Sequence, residues 1–61
     1  MLFYDAISRL FKSQAEGTIY TPYGHATGRV IELKEDEFKF KSIDGQTFTL
    51  YIEDLMMVKE F

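Results

Sequence analysis

From Gly24 to Phe61 the chain runs as short β-prone segments separated by tight turns, and one amphipathic segment, Leu2–Lys12, precedes them. This order constrains the fold most, because short strands joined by tight turns pair antiparallel with their neighbours. The clearest strand is Phe38-Lys39-Phe40-Lys41, where strict period two puts the phenylalanines on a buried face and the lysines outside. Asp44-Gly45 follows as a hairpin turn. The next strand is Gln46–Ile52, with Phe48, Leu50 and Ile52 on one face and Thr47, Thr49 and Tyr51 on the other. Upstream, Thr18–Thr21 is β-branched and aromatic and reads as a first strand. Pro22-Tyr23-Gly24 is a turn, because proline presets φ and glycine accepts positive φ. His25–Leu33 is a long second strand in which Gly28 marks a bend or bulge, the device by which a small sheet curls on itself. After the Glu53-Asp54 corner, Leu55–Val58 is a last strand, apolar on both faces.

The leading segment has helical period. Phe3, Ala6, Ile7, Leu10 and Phe11 form one apolar face, while Asp5, Ser8, Arg9 and Lys12 lie opposite. Asp5 in the first turn and Lys12 in the last suit the helix dipole, and Asp5 and Arg9 are spaced as an i,i+4 pair. An isolated helix of this length is marginal in water, so it forms by docking its apolar face on the strands. Gly17 is read as the helix exit or the kink into the first strand. The expected architecture is α+β, mainly β: one domain over residues 1–61, with a helix at 1–13 and a small, strongly bent, five-stranded antiparallel barrel at 17–61.

A chain of 61 residues buries only roughly 60% of its unfolded surface and commonly needs a staple. It has no cysteine for disulfides or thiolate metal sites and a single histidine, His25. An unusually good core or self-association must then make up the difference, and a composition 46% hydrophobic and 16% aromatic permits both. An unpartnered apolar strand at Leu55–Val58 would be an aggregation hazard, so it is covered by the helix, paired with another copy, or both. Pairing with the Gln46–Ile52 strand of a neighbour puts Phe48, Leu50, Tyr51, Leu55, Met56, Met57 and Val58 at an oligomer interface. The segment Leu2–Phe11 is too short for a membrane span and lacks the flanks of a signal peptide, so cytoplasmic residence is expected.

Catalytic and metal chemistry have little to stand on. A nucleophile needs a base and an orienter, and the serines at 8, 13 and 42 have only His25 to serve them. No catalytic residue, metal site or cofactor is assigned. Glu35-Asp36-Glu37 and Glu53-Asp54 lack the spacing of a calcium loop and read as solvated carboxylates. Arg29, Lys39 and Lys41, with Tyr20, Tyr23 and His25, make a candidate surface for single-stranded nucleic acid or another partner, by stacking and phosphate contact. The plain alternative is a solvated strand face whose lysines guard against edge pairing. The net charge of −3 disfavours nucleic acid.

The chain resembles the Sm-like family. A short helix precedes five strands, and Tyr23-Gly24-His25-Ala26-Thr27-Gly28-Arg29-Val30-Ile31 is similar to the family's first motif, a turn glycine before a bent strand carrying a second glycine. The Phe38–Phe40 strand, the Asp44-Gly45 hairpin and the Tyr51-Ile52-Glu53-Asp54-Leu55 corner fall where later family elements would. The resemblance implies an open barrel and ring-type assembly. It does not carry over the family's RNA site. Asp36 takes the position of that site's aspartate, but Lys39 stands where asparagine is wanted, and Glu53-Asp54 replaces a basic corner. The reading at this level is a non-enzymatic, self-associating protein-interaction or regulatory module. The alternative is an Sm-like protein that binds RNA or single-stranded nucleic acid.

Overall fold

In the computed structural model, which describes residues 2–61, a helix α1 (Leu2–Ser13) precedes strands β1 (Gly17–Thr21), β2 (Gly24–Leu33), β3 (Glu37–Ser42), β4 (Thr47–Tyr51) and β5 (Met57–Glu60). A single 3-10 turn at Ile52–Asp54 joins β4 to β5. Met1, the first residue of the expected helix, lies outside the described residues. All pairings are antiparallel, in the order β4-β3-β2-β1-β5. Consecutive strands pair through β4, and the corner then returns the chain to β1. The sheet therefore has two open edges, β4 and β5.

The period-two pattern of β3 is realised: Phe38 and Phe40 are buried while Lys39 and Lys41 are exposed. They join Ile19 of β1, Val30 of β2 and Ile7 and Leu10 of α1 in one core. Each such side chain is worth about 1.5–3 kcal/mol when fully buried, which is what folds a helix too short to stand alone. Phe3 and Phe11 are only half-buried against that core.

Several sequence expectations are corrected. The helix exits at Gln14, the one described non-glycine residue of positive φ (54°), whose side-chain amide donates to the Phe11 carbonyl at 2.7 Å. Gly17 is the first residue of β1, in line with its reading as the entry to that strand, and a Cβ there would meet Leu10 and the Lys59 carbonyl at 3.0 Å. The bulge of β2 falls not at Gly28 but between Val30 and Glu32, which leaves Ile31 turned outward. The last strand begins two residues later than Leu55, and Leu55 itself is buried in the core of its own chain. That removes Leu55 from the interface set, because a side chain already packed inside cannot reach a neighbour. Ile52 likewise leaves β4 and plugs the core from the 3-10 turn, its N–H donating to the Asp36 carbonyl at 2.9 Å.

Arg9 does not pair with Asp5. It spans to β5 and donates to both oxygens of the Glu60 carboxylate, from Nη2 at 2.7 Å and from Nε at 3.2 Å. The hydrogen bond from Arg9 holds the Glu60 carboxyl below its ordinary value; desolvation opposes it and the charge of Arg9 adds to it. A carboxyl lowered on folding stabilises the fold above its unfolded pKa and loses that contribution as pH falls through the folded one. Glu60→Gln is therefore expected to lower the urea midpoint slightly at neutral pH and not in acid, where Glu60 is protonated in both states. Equal loss at both pH values would show that the pair contributes packing rather than charge. The effect is small because both side chains are exposed.

Candidate nucleic-acid interface

The β1–β2 turn builds the most ligand-like surface of the chain. Thr21 shapes it: its hydroxyl accepts from the Tyr23 N–H and donates to the Gly24 carbonyl, both at 3.1 Å. Gly24, at φ 142°, closes the turn. Tyr23 is thereby held out at 83% exposure. The register Thr21↔Gly24 sets Tyr20 opposite His25, and their rings stack with centroids 5.6 Å apart and planes inclined by 27°. Met57 of β5 is the partner of Tyr20 on the other flank. A row Met57, Tyr20, His25 thus crosses β5, β1 and β2.

Beside this row an open, mainly apolar cavity of about 230 Å³ runs under the turn, lined by Ile19, Tyr23, His25, Ala26, Phe48 and Leu50 among others. Phe48 and Leu50 come from edge strand β4, so one wall of the cavity is an open sheet edge. An apolar slot with an exposed phenol and an imidazole at its lip suits a flat, partly polar ring, for which stacking is sequence-tolerant.

The six residues singled out in the sequence do not form one surface. Tyr20, Tyr23 and His25 converge at the turn. Lys39 is turned to Glu32 at 3.3 Å, and Arg29 lies directly opposite Lys41 further along β2. The nearest cation by register to the aromatic row is Lys59, paired with Thr18 two positions from Tyr20↔Met57. The carboxylates gather elsewhere. The bond from Ile52 to Asp36 ties the β2–β3 turn, with Glu35, to the Glu53-Asp54 corner, at the opposite end of β2 from Gly24. A polyanion would be repelled there. The sequence places His25 in the candidate surface with Tyr20 and Tyr23, but it assigns Phe48 to the oligomer interface and not to this site. The signal for the stack was available, since a Thr-Pro-Tyr-Gly turn fixes which residues face each other.

A five-stranded, strongly bent antiparallel sheet behind an N-terminal helix, with β4 and β5 left as open edges, is the Sm-like fold. Among solved structures the chain is similar to the crystal structure of Hfq, a pleiotropic translational regulator, with a TM-score of 0.78 over 97% of this chain and 98% of that one. Sequence identity is 17%, so the likeness establishes the fold. No protein-family model matches the sequence, and no curated protein matches it.

Proposed function

We propose that this chain is a non-enzymatic, cytoplasmic, Sm-like RNA-binding regulator that acts as a homo-oligomer. The observation that carries it is the Tyr20–His25 stack with Tyr23 raised over an apolar slot, on a fold shared with a translational regulator. This reverses the ranking that net charge alone suggests. A balance of −3 is compatible with RNA binding when Glu35, Asp36, Glu53 and Asp54 lie at the opposite end of β2 from the stacking groups. Two open edges of one sheet support assembly, with Phe48, Leu50 and Tyr51 on one and Met57 and Val58 on the other, and Met56 just before it. A neighbour's β5 laid on β4 would supply the missing wall of the slot.

The test is fluorescence anisotropy with labelled oligoadenylate and oligouridylate across a salt series. Binding should weaken as salt rises, because phosphate contacts release counterions. Base stacking on an aromatic side chain is worth about 1–3 kcal/mol, so Tyr20→Ala combined with Tyr23→Ala is expected to cost roughly tenfold to a hundredfold in affinity. Affinity indifferent to both substitutions would sink the aromatic site. No affinity for either oligonucleotide would return the chain to the protein-interaction reading.

A further inference from the structure

The rungs of the β2–β3 ladder differ in charge. Glu32↔Lys39 is an opposite-charge pair with its ion pair made, whereas Arg29↔Lys41 sets two cations face to face. Among the described residues neither Arg29 nor Lys41 has an ion-pair partner, in a chain with 10 acidic residues. Like charges directly opposite on a sheet destabilise it. The rung therefore costs stability that a single acidic residue would restore.

The surroundings of that rung show what it is fitted for. An open groove of about 440 Å³ runs past it, with Gln14 and Glu16 of the α1–β1 connection on one side and Ile31 and Ile43 on its walls. Both isoleucines are exposed, at 42% and 73%. Neither is held loosely. Ile31 is the extra residue of the bulge, which aims it outward, and the Ile43 N–H donates to the Thr27 carbonyl at 2.9 Å. Two unpaired cations flanked by two fixed aliphatic side chains match a ligand that alternates carboxylates with apolar groups. Nucleic acid fits poorly, since no aromatic face lines the groove for a base to stack on.

We propose that the Arg29–Lys41 groove is a docking site for an acidic, leucine- or isoleucine-bearing segment of a partner protein. The segment's carboxylates would sit on Arg29 and Lys41 and its apolar side chain between Ile31 and Ile43. Glu16, the one carboxylate on the lining, repels acid at its end and so fixes the direction of the segment. The site lies apart from the aromatic slot and does not rest on the RNA-binding reading.

The probes are a fluorescein-labelled peptide in which glutamates flank a leucine pair, its glutamine-for-glutamate twin, and labelled oligouridylate. The glutamate peptide is expected to bind the unmodified protein and the twin at least about tenfold more weakly. Arg29→Ala with Lys41→Ala should cost the peptide about tenfold or more, and Ile43→Ser several-fold, with oligouridylate affinity unchanged in both. Lys41→Glu should abolish peptide binding while raising Tm by a few degrees, because it turns a repulsive rung into an attractive one. Equal binding of the twin, absence of peptide binding, or a fall in Tm for Lys41→Glu overturns the proposal. Loss of oligouridylate instead of peptide on removing the two cations also overturns it, and assigns the rung to RNA.

Discussion

Gly28→Ala is expected to unfold the protein or to lower its Tm by on the order of 20 °C, through one methyl group. A Cβ at position 28 would stand 2.0 Å from the Lys41 carbonyl oxygen and 2.7 Å from the Ser42 Cα. Both atoms are backbone, so no rotamer change relieves the contact, and β2 and β3 must part. Gly28 is paired on both sides, with Gly17 of β1 and Ser42 of β3, so the strand cannot move from one neighbour without pressing on the other. Two rungs away, the Val30↔Phe40 pair holds two fully buried side chains that the same separation would pull apart. Overpacking of this kind costs about 1–3 kcal/mol, and each ladder bond lost adds about 1 kcal/mol.

A domain of this size has only about 3–5 kcal/mol to lose, and at about 4–8 °C per kcal/mol the shift is large. Thermal unfolding followed by circular dichroism measures it. A variant that melts within a few degrees of the unmodified protein would show that β2 and β3 can spread, and that the bend does not depend on this glycine.

The sequence carried the fold well because its pattern there is redundant. Phe38-Lys39-Phe40-Lys41 gives the inner face, Asp44-Gly45 the hairpin, with Gly45 at φ 92°, and the Phe3–Phe11 periodicity the helix. Boundaries that tertiary contacts decide were less legible. Leu55 and Ile52 look like strand residues, yet both drop into the core from the turn between β4 and β5, because the chain must cross from β3's neighbour back to β1. Gly28 announces a special backbone position, but sequence alone does not separate a bulge from a close crossing of two strands. The bulge went to Ile31, where no glycine marks it.

The aromatic site was half-legible. Tyr20, Tyr23 and His25 were identifiable as residue types, and local turn geometry brings them together. Arg29, Lys39 and Lys41 were grouped with them by alternation, but cross-strand register separates them. Register depends on the partner strand, and one strand's own pattern does not contain it.

Met57→Lys is expected to convert a discrete oligomer into folded monomer at low micromolar concentration. β4 and β5 are the only strands of this sheet with a free side: four of the five residues of β4 are exposed, and Met57 of β5 is 49% exposed, while the Arg9–Glu60 pair ties only the far end of β5 to α1. One such edge on each side of the protomer favours head-to-tail pairing, which closes into a ring when the rotation per subunit allows. In the monomer a lysine at position 57 keeps its ammonium in water, so the fold should hold; surface changes of this kind stay within about 0.5 kcal/mol. In the assembly the same ammonium would be set against β4 of the next copy, whose residues Thr47–Tyr51 include no carboxylate, and its partial desolvation would cost stability. Lysine on an edge strand is also what isolated sheets use to prevent such pairing.

Native mass spectrometry reads the stoichiometry directly, and unfolding adds an independent check. The Tm of the unmodified protein should rise with protein concentration, since assembly stabilises by mass action, while that of Met57→Lys should not. An unchanged oligomer mass would place the interface away from β5. A monomer whose Tm has collapsed would instead mean that Met57 supports the fold of its own chain, and the assembly argument would then have to be tested from β4, by Tyr51→Lys.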